Sequence, residues 1–400
     1  MMKPLPREIP LSEILNRGVT HCIEKDHLEK ALSSGKKLRV KLGMDPTASN
    51  IHIGNAVPLW KLRCLQEHGH QVVFIVGDFT AQIGDTSDKT AMRQALTPEV
   101  IEENMKNWKE QAGEIIDLDK IEFVYNSSWL GKMSFSDVTK LAMHFTVAQM
   151  IERENYMTRY KEGKPIGLHE FLYPLMQGYD SIAVKADLEL GGNDQLFNIL
   201  AGRHIQEAYG EKPQDVMTFE LLEGTDGRKM SKSYGNVINI TDEPSDMFGK
   251  IMSMKDELIT RYFQIATFAT TDEITSVEKR LKAGENPRDI KAELATTITA
   301  LYHGEDAAAQ AREAFDNVFR DKQVPTDMEV CQLGEPSYTI LDLLMEAKLC
   351  PSKSEAKRLI TQGGVYVDSE RVDDTNASID ISQERVIKVG KKTFLKVVQG

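Results

Sequence analysis

Apolar positions in the first fifth of the chain switch between two periods. Residues 38–42 alternate apolar and polar, as in a strand, and a turn follows at Asp45-Pro46-Thr47. In residues 58–67 the apolar Leu59, Trp60, Leu62 and Leu65 share one helical face, with Pro58 suited to a first turn where its missing N–H costs nothing. The run Val72-Val73-Phe74-Ile75-Val76 is β-branched and reads as a buried strand. A strand–helix–strand unit of this length predicts a parallel sheet with right-handed crossovers, and ligands then gather at the carboxyl ends of the strands. A second parallel segment is expected at residues 186–190.

Between these segments, residues 97–180 read as a mainly helical insertion, with amphipathic stretches at 99–116 and 136–161. Residues 243–322 are helical and polar, broken near Gly284 and Pro287. Two prolines and a glycine in residues 323–336 suggest a linker. A helix at 340–344, a basic helical stretch at 351–358 and a glycine-turned strand at 363–368 follow. The expected fold class is therefore α/β. It comprises a Rossmann-like parallel-sheet domain over 1–235, an α-helical domain over 236–325, a linker at 326–337 and a small α+β domain over 338–400.

The 400 residues suffice for two or three such domains. Residues 1–16 mix Pro, Glu, Arg and Lys without an apolar stretch, and no apolar run approaches the roughly 20 residues of a membrane helix. No signal peptide and no membrane partner are expected. Four cysteines lack a Cys-x-x-Cys pair and nine histidines lack metal-ligand spacing, so neither zinc nor disulfides are expected, as in a reducing cytoplasm. His68 and His70, flanking Gly69, read as surface residues of a polar turn. The net charge of −12 excludes a protein that coats nucleic acid non-specifically. Its distribution is uneven, because residues 338–400 hold ten Lys and Arg against nine Asp and Glu, leaving 39 against 52 in the rest.

The candidate chemistry lies in short motifs. His52-Ile53-Gly54-Asn55 follows the first strand, where a histidine and the backbone N–H groups of a helix start can reach phosphate oxygens. Lys229-Met230-Ser231-Lys232-Ser233 lies in a glycine-rich loop that reads as mobile, and its two lysines can close on the same phosphates. Alone, a lysine pair in a loop is usually a solvated surface, and Gly191-Gly192-Asn193-Asp194-Gln195 is more often a plain turn than a site. Its place after a buried strand makes Gly191 and Gly192 a close-approach site and Asp194 an acceptor for ribose hydroxyls. Tyr173, Gln177 and Asp180 share one side of a helix, and buried Gln and Asp side chains on an apolar face need partners that a polar ligand can supply.

In this order, with Gly43-Met44-Asp45-Pro46-Thr47 before them, these motifs resemble the class I aminoacyl-tRNA synthetases, and specifically the bacterial tyrosyl-tRNA synthetase family with a Lys-Met-Ser-Lys-Ser loop. The likeness spans nearly the whole chain. Residues 338–400 resemble the RNA-binding domain named after ribosomal protein S-four. The resemblance implies a cytoplasmic ligase that joins L-tyrosine to tRNA(Tyr) with ATP as substrate and Mg2+ carried on its phosphates, working as a homodimer through the inserted helices. The apolar 141–145 run with Val147, Met150 and Ile151 is the candidate contact, or else an internal core helix. Thr47, His52, Lys89, Arg93, Lys229 and Lys232 would meet the phosphates and pyrophosphate, Asn55 and Asp194 the ribose, while Gly54, Gly192 and Met230 line the ATP site. Asp180 would accept from the substrate phenol, and Asp45, Asp85, Tyr173, Gln177 and Gln195 would surround the rest of the amino acid. Lys348, Lys353, Lys357 and Arg358 would meet tRNA phosphates.

Three positions depart from the family pattern. Asn55 stands where a second histidine is usual, Lys41 where another branch has a tyrosine that helps bind the phenol, and Gly84-Asp85-Thr86-Ser87-Asp88 where an Asp-Pro-Ser-Gly turn is usual. A tryptophan-specific synthetase shares the architecture, but Asp45-Pro46-Thr47, the Tyr173/Gln177/Asp180 set and the RNA-binding tail favour tyrosine. A non-catalytic RNA-binding relative would fit the departures. It would not explain why both loop lysines, His52, Asp180 and Asp194 are all present.

Overall fold

A computed structural model of the chain describes residues 4–86, 96–231, 234–319, 328–368, 370–390 and 393–400. It divides into two compact units, Met1–Ala308 and Ala309–Gly400. The first is built on strands β1 (Val19–Ile23), β2 (Arg39–Met44), β3 (Gln71–Val76), β4 (Glu122–Tyr125), β5 (Leu188–Gly192) and β6 (Asp215–Phe219). They lie in the order β1-β6-β5-β2-β3-β4, parallel except for β1, which runs antiparallel to β6. Val72, Val73, Phe74 and Ile75 are fully buried, as expected of a strand covered by helices on both faces. The chain proceeds outward from β2 to β3 and β4, then returns beside β2 as β5. That reversal opens a crevice between the carboxyl ends of β2 and β5, where open parallel sheets bind ligands.

Several expectations need correction here. The segment read as helical over 97–180 contains β4, which pairs in parallel with β3 from Val73↔Glu122 to Val76↔Tyr125. Phe123 stacks on Phe74 with ring centroids 5.3 Å apart, so the strand is held by packing in a segment too short for periodicity to reveal it. The long amphipathic stretches are also divided. Residues 136–161 form helices Phe135–Ala142, Val147–Ile151 and Glu154–Lys161, because Thr146 starts a new helix with a capping box to Gln149. Pro58 is the sixth residue of helix Ile53–Glu67, past its first turn. It deprives the Gly54 carbonyl of its usual intrahelical donor. Strands β1 and β6 were not anticipated.

Helices Pro244–Met252, Ile259–Ala266, Thr271–Lys282 and Pro287–His303 complete the first unit. Gly284, with φ of 83°, and the Asn286 cap before Pro287 separate the last two. In the second unit β7 (Val330–Leu333), β8 (Ser337–Thr339), β9 (Val365–Val367), β10 (Glu370–Arg371), β11 (Ser378–Asp380), β12 (Arg385–Val389) and β13 (Thr393–Gln399) form a five-stranded sheet, β10-β9-β12-β13-β7, and a β11-β8 ribbon. Its core gathers Ile340, Leu343, Ala356, Ile360, Ile387 and Val397. The linker expected at 326–337 is thus partly a strand: β7 pairs in parallel with β13, from Val330↔Lys396 to Leu333↔Gln399. The pairing partner lies more than sixty residues away, beyond the reach of a local reading.

Candidate active site

His52 caps helix Ile53–Glu67, and its Nδ1 accepts from the Asn55 backbone N–H at 3.2 Å. With Nδ1 accepting, the neutral ring carries its proton on Nε2, a donor for an anion. Burial, aided by the charge of Lys229, pushes the imidazole down to about 4, so it is neutral at pH 7. A Cβ on Gly54 would come within 3.1 Å of this ring. The turn is joined by backbone pairing to the segment after the lysine loop: Ile53 N donates to Ile238 O at 2.9 Å and Ile240 N to Ile51 O at 3.0 Å. Two motifs remote in sequence are thereby neighbours.

The loop itself is more structured than its composition suggests. Buried Asn236 donates to Asp226 Oδ1 at 2.7 Å and Lys229 O at 3.1 Å, and accepts from Ser231 N at 2.8 Å. A Cβ on Gly224 would stand 2.3 Å from the Asn236 amide nitrogen, so only glycine fits. Lys229, half exposed, lies 3.6 Å from Asp194 Oδ2. Met230 is buried. Lys89, Arg93 and Lys232 lie outside the described residues.

At the other end of the crevice, polar side chains from three strand ends and from helix Leu172–Ala183 form a connected set. Tyr173 OH donates to Asp45 Oδ2 at 2.9 Å, and Thr80 Oγ1 donates to Asp45 Oδ1 at 2.8 Å. Asn126 Nδ2 donates to Thr80 Oγ1 at 3.0 Å and to Asp180 Oδ2 at 3.3 Å, while Trp129 Nε1 donates to Asp180 Oδ1 at 2.7 Å. Asp180 is 3% exposed. Burial pushes its carboxyl up to about 6 against the opposing influences of Lys41, Trp129 and Asn126. Burial also holds the Tyr173 phenol well above its usual range, fixing it as a donor. Thr80, Asn126 and Trp129 escaped the sequence reading; the last two follow β4, so recognising that strand would have exposed them.

Asp85 is placed despite its unusual turn. Gln195 Nε2 donates to its Oδ2 at 2.7 Å, and Arg153 approaches its Oδ1 at 3.4 Å. Gly84 supplies a φ of 85°, and Asn155 Nδ2 holds the Thr86 carbonyl at 2.6 Å. The Gln177 amide donates to Glu189 Oε1 at 3.1 Å. Lys41, at the position of the family tyrosine, is fully buried in an ion pair with Glu189. Thr47 is exposed just beyond Asp45, with its backbone N–H on the Asp45 carbonyl at 2.8 Å. His70 is buried rather than at the surface, and its Nδ1 accepts from Leu38 N at 3.4 Å.

The candidate dimer run divides in two. Leu141 and Met150 belong to an internal core with Leu175 and Ile205, whereas Met143 and Val147 are 77% and 63% exposed. In the second unit Lys348, Lys353, Lys357 and Arg358 are all exposed, but Lys353 pairs with Asp342 at 2.6 Å and Arg358 with Glu355 at 2.5 Å. Among the described residues Lys348 and Lys357 form no ion pair.

A parallel sheet carrying a capped histidine turn, a glycine pair and a lysine loop at its switch point defines a class I aminoacyl-tRNA synthetase. Residues 33–320 match the family of class I tRNA synthetases for tryptophan and tyrosine, and residues 321–397 match the SYY-like C-terminal domain of tyrosine–tRNA ligase. A tyrosine–tRNA ligase of Thermotoga maritima is 48% identical over 390 residues, 97% of each chain. That of Nitratidesulfovibrio vulgaris is 47% identical over 389 residues, 96% of this chain and 97% of its own. The fold is shared with a crystal structure of tyrosyl-tRNA synthetase complexed with L-tyrosine from Archaeoglobus fulgidus, at a TM-score of 0.62 and 23% identity, covering 75% of this chain and 98% of that one. The chain belongs to the bacterial tyrosine–tRNA ligases, ATP-dependent enzymes.

Proposed function

We propose that this chain activates tyrosine in the crevice between β2 and β5 and hands it to tRNA(Tyr), with the roles divided among the residues as follows. The Asp180 carboxylate accepts from the substrate phenol, and Asp45, Asp85, Tyr173 and Gln195 form the polar wall around the amino acid. ATP enters with magnesium on its phosphates and lies along the Gly191-Gly192 end of β5, its ribose toward Asp194 and Asn55. A tyrosine carboxylate oxygen attacks the α-phosphorus, the bond to pyrophosphate breaks, and tyrosyl-adenylate forms. His52, donating through Nε2, joins Thr47, Lys229, Lys232, Lys89 and Arg93 in stabilising the charge that develops on the phosphates. No protein nucleophile is required. A terminal hydroxyl of the tRNA then attacks the tyrosyl carbonyl and AMP leaves.

The observation that carries this reading is Asp180, a buried carboxylate already fixed by Trp129 and Asn126. A site built around such an acceptor rejects phenylalanine, which would leave it unpaired; this enzyme family is the standing illustration of that principle. Exposed Lys348 and Lys357, with Lys353 and Arg358, would meet tRNA phosphates. Phe135, Met143, Val147 and Leu168, at 88%, 77%, 63% and 82% exposure, are offered for a symmetric dimer. The setting is the cytoplasm. Tyrosine-dependent ATP–pyrophosphate exchange tests the reading: exchange with tyrosine and not phenylalanine is expected, and exchange indifferent to the amino acid would overturn it.

A further inference from the structure

Lys41 and Glu189 face one another in register across the parallel strands β2 and β5. Their side chains are 0% and 1% exposed, and the ammonium lies 3.0 Å from Glu189 Oε1. The other two ammonium protons go to Gln177 O at 2.8 Å and Ser181 Oγ at 2.9 Å. Glu189 in turn accepts from Gln177 Nε2 at 3.1 Å, from Ser181 Oγ at 3.1 Å and from the Gln214 amide. Every donor of the lysine is used. Desolvating two charges is a poor route to stability compared with apolar packing of the same volume, so a pair retained in the core calls for another explanation.

The partners supply one. Gln177 and Ser181 lie three residues before and one residue after Asp180 on helix Leu172–Ala183, so the pair grips that helix on both sides of the carboxylate. The adjoining side of the helix has no slack: a Cβ on Gly178 would stand 3.2 Å from Gly202 Cα in helix Leu196–Ala208. Resting on the reading of Asp180 as the phenol acceptor, we propose that Lys41 and Glu189 are positioning residues for tyrosine selection, locking the helix so that Asp180 meets the substrate phenol without themselves touching the substrate. Their opposite electrostatic influences on Asp180, lysine favouring the ionised form and glutamate opposing it, let the pair hold the helix while adding little net charge.

The test uses the full-length Lys41→Met/Glu189→Gln variant, which removes both charges together and leaves neither buried alone. In pyrophosphate exchange its KM for tyrosine should rise about tenfold, the scale of lost hydrogen bonds to charged groups. The ratio of kcat/KM for tyrosine over phenylalanine should fall by a similar factor, with the KM for ATP unchanged. A folded double variant whose tyrosine KM and selectivity stay within about twofold of wild type would overturn the proposal. Should the double variant not fold, Ser181→Ala removes only the hydroxyl bridging the pair. It should raise the tyrosine KM while sparing that for ATP, and unchanged selectivity and KM there would overturn the proposal equally. A wild-type chain lacking tyrosine-dependent exchange would overturn the functional reading itself, and this proposal with it.

Discussion

Lys229 Nζ stands 3.6 Å from Asp194 Oδ2, linking the lysine loop to the turn that follows β5. The proposed ribose acceptor and a proposed pyrophosphate contact therefore border one space. Lys229→Ala should slow adenylate formation far more than it weakens tyrosine binding, since its charge matters where negative charge develops. Losing such a contact costs about 3 kcal/mol, roughly two orders of magnitude in rate. Lys232→Ala should act in the same direction. Single-turnover formation of tyrosyl-adenylate at saturating ATP measures both, and unchanged rates would remove the loop from the chemistry.

Asp180 gives the site a pH signature. Its carboxyl is raised from 3.8 to about 6 by burial, so kcat/KM for tyrosine should climb as pH rises through about 6 and level off above, when the ionised acceptor dominates. The stability effect has the opposite sign. A raised carboxyl pKa means the folded chain binds the proton more tightly, so this contribution to stability is lost as pH rises from 3.8 through about 6. Asp180→Asn should flatten that limb of the profile and reduce discrimination against phenylalanine. A limb persisting in the variant would assign the titration to another group.

Gly77 has a packing role that a rate measurement can reveal. A Cβ there would fall 2.0 Å from Asp45 Oδ1 and 2.4 Å from Thr80 Oγ1, inside the hydrogen-bonded set that holds Tyr173. Gly77→Ala should displace Asp45, destabilise the fold by about 1–3 kcal/mol and raise the tyrosine KM. Thermal unfolding with exchange kinetics checks this. Wild-type values for both would mean the set relaxes without consequence.

Removing residues 321–400 should separate the two half-reactions. Because β7 belongs to the sheet of the second unit, the cut belongs after residue 320, where the two family matches also divide, and not at 338. The shortened chain should keep pyrophosphate exchange and lose most tRNA charging. Charging by the intact chain should weaken with added salt, as phosphate contacts do. A folded 1–320 chain without exchange would make residues 321–400 part of the catalytic machinery.

The exposed apolar face of the inserted helices predicts assembly. Phe135→Asp combined with Met143→Asp should convert a dimer to monomers in sedimentation velocity, because a charge buried in such an interface lacks a partner. A wild-type chain that sediments as a monomer at micromolar concentration would sink the assignment.

By itself the sequence determined what local chemistry encodes. The alternating 38–42 run, the buried β3, the helix carrying Tyr173, Gln177 and Asp180, and the glycine pair that closes β5 were legible because period and side-chain type report burial over a few residues. The motif likeness named the family for the same reason, since the motifs around His52, Asp194 and Lys229 are each only a few residues long. What only the tertiary structure decided were pairings between remote segments. The turn at His52 meets residues 238–240 through backbone hydrogen bonds, β4 joins the sheet through Phe74, and β7 waits for β13. Lys41 is the clearest case. In sequence it is a charged residue in an apolar strand, and its partner Glu189 is another. Only the register of β2 on β5 brings the two charges face to face in the core, where the desolvation of each is offset by the other.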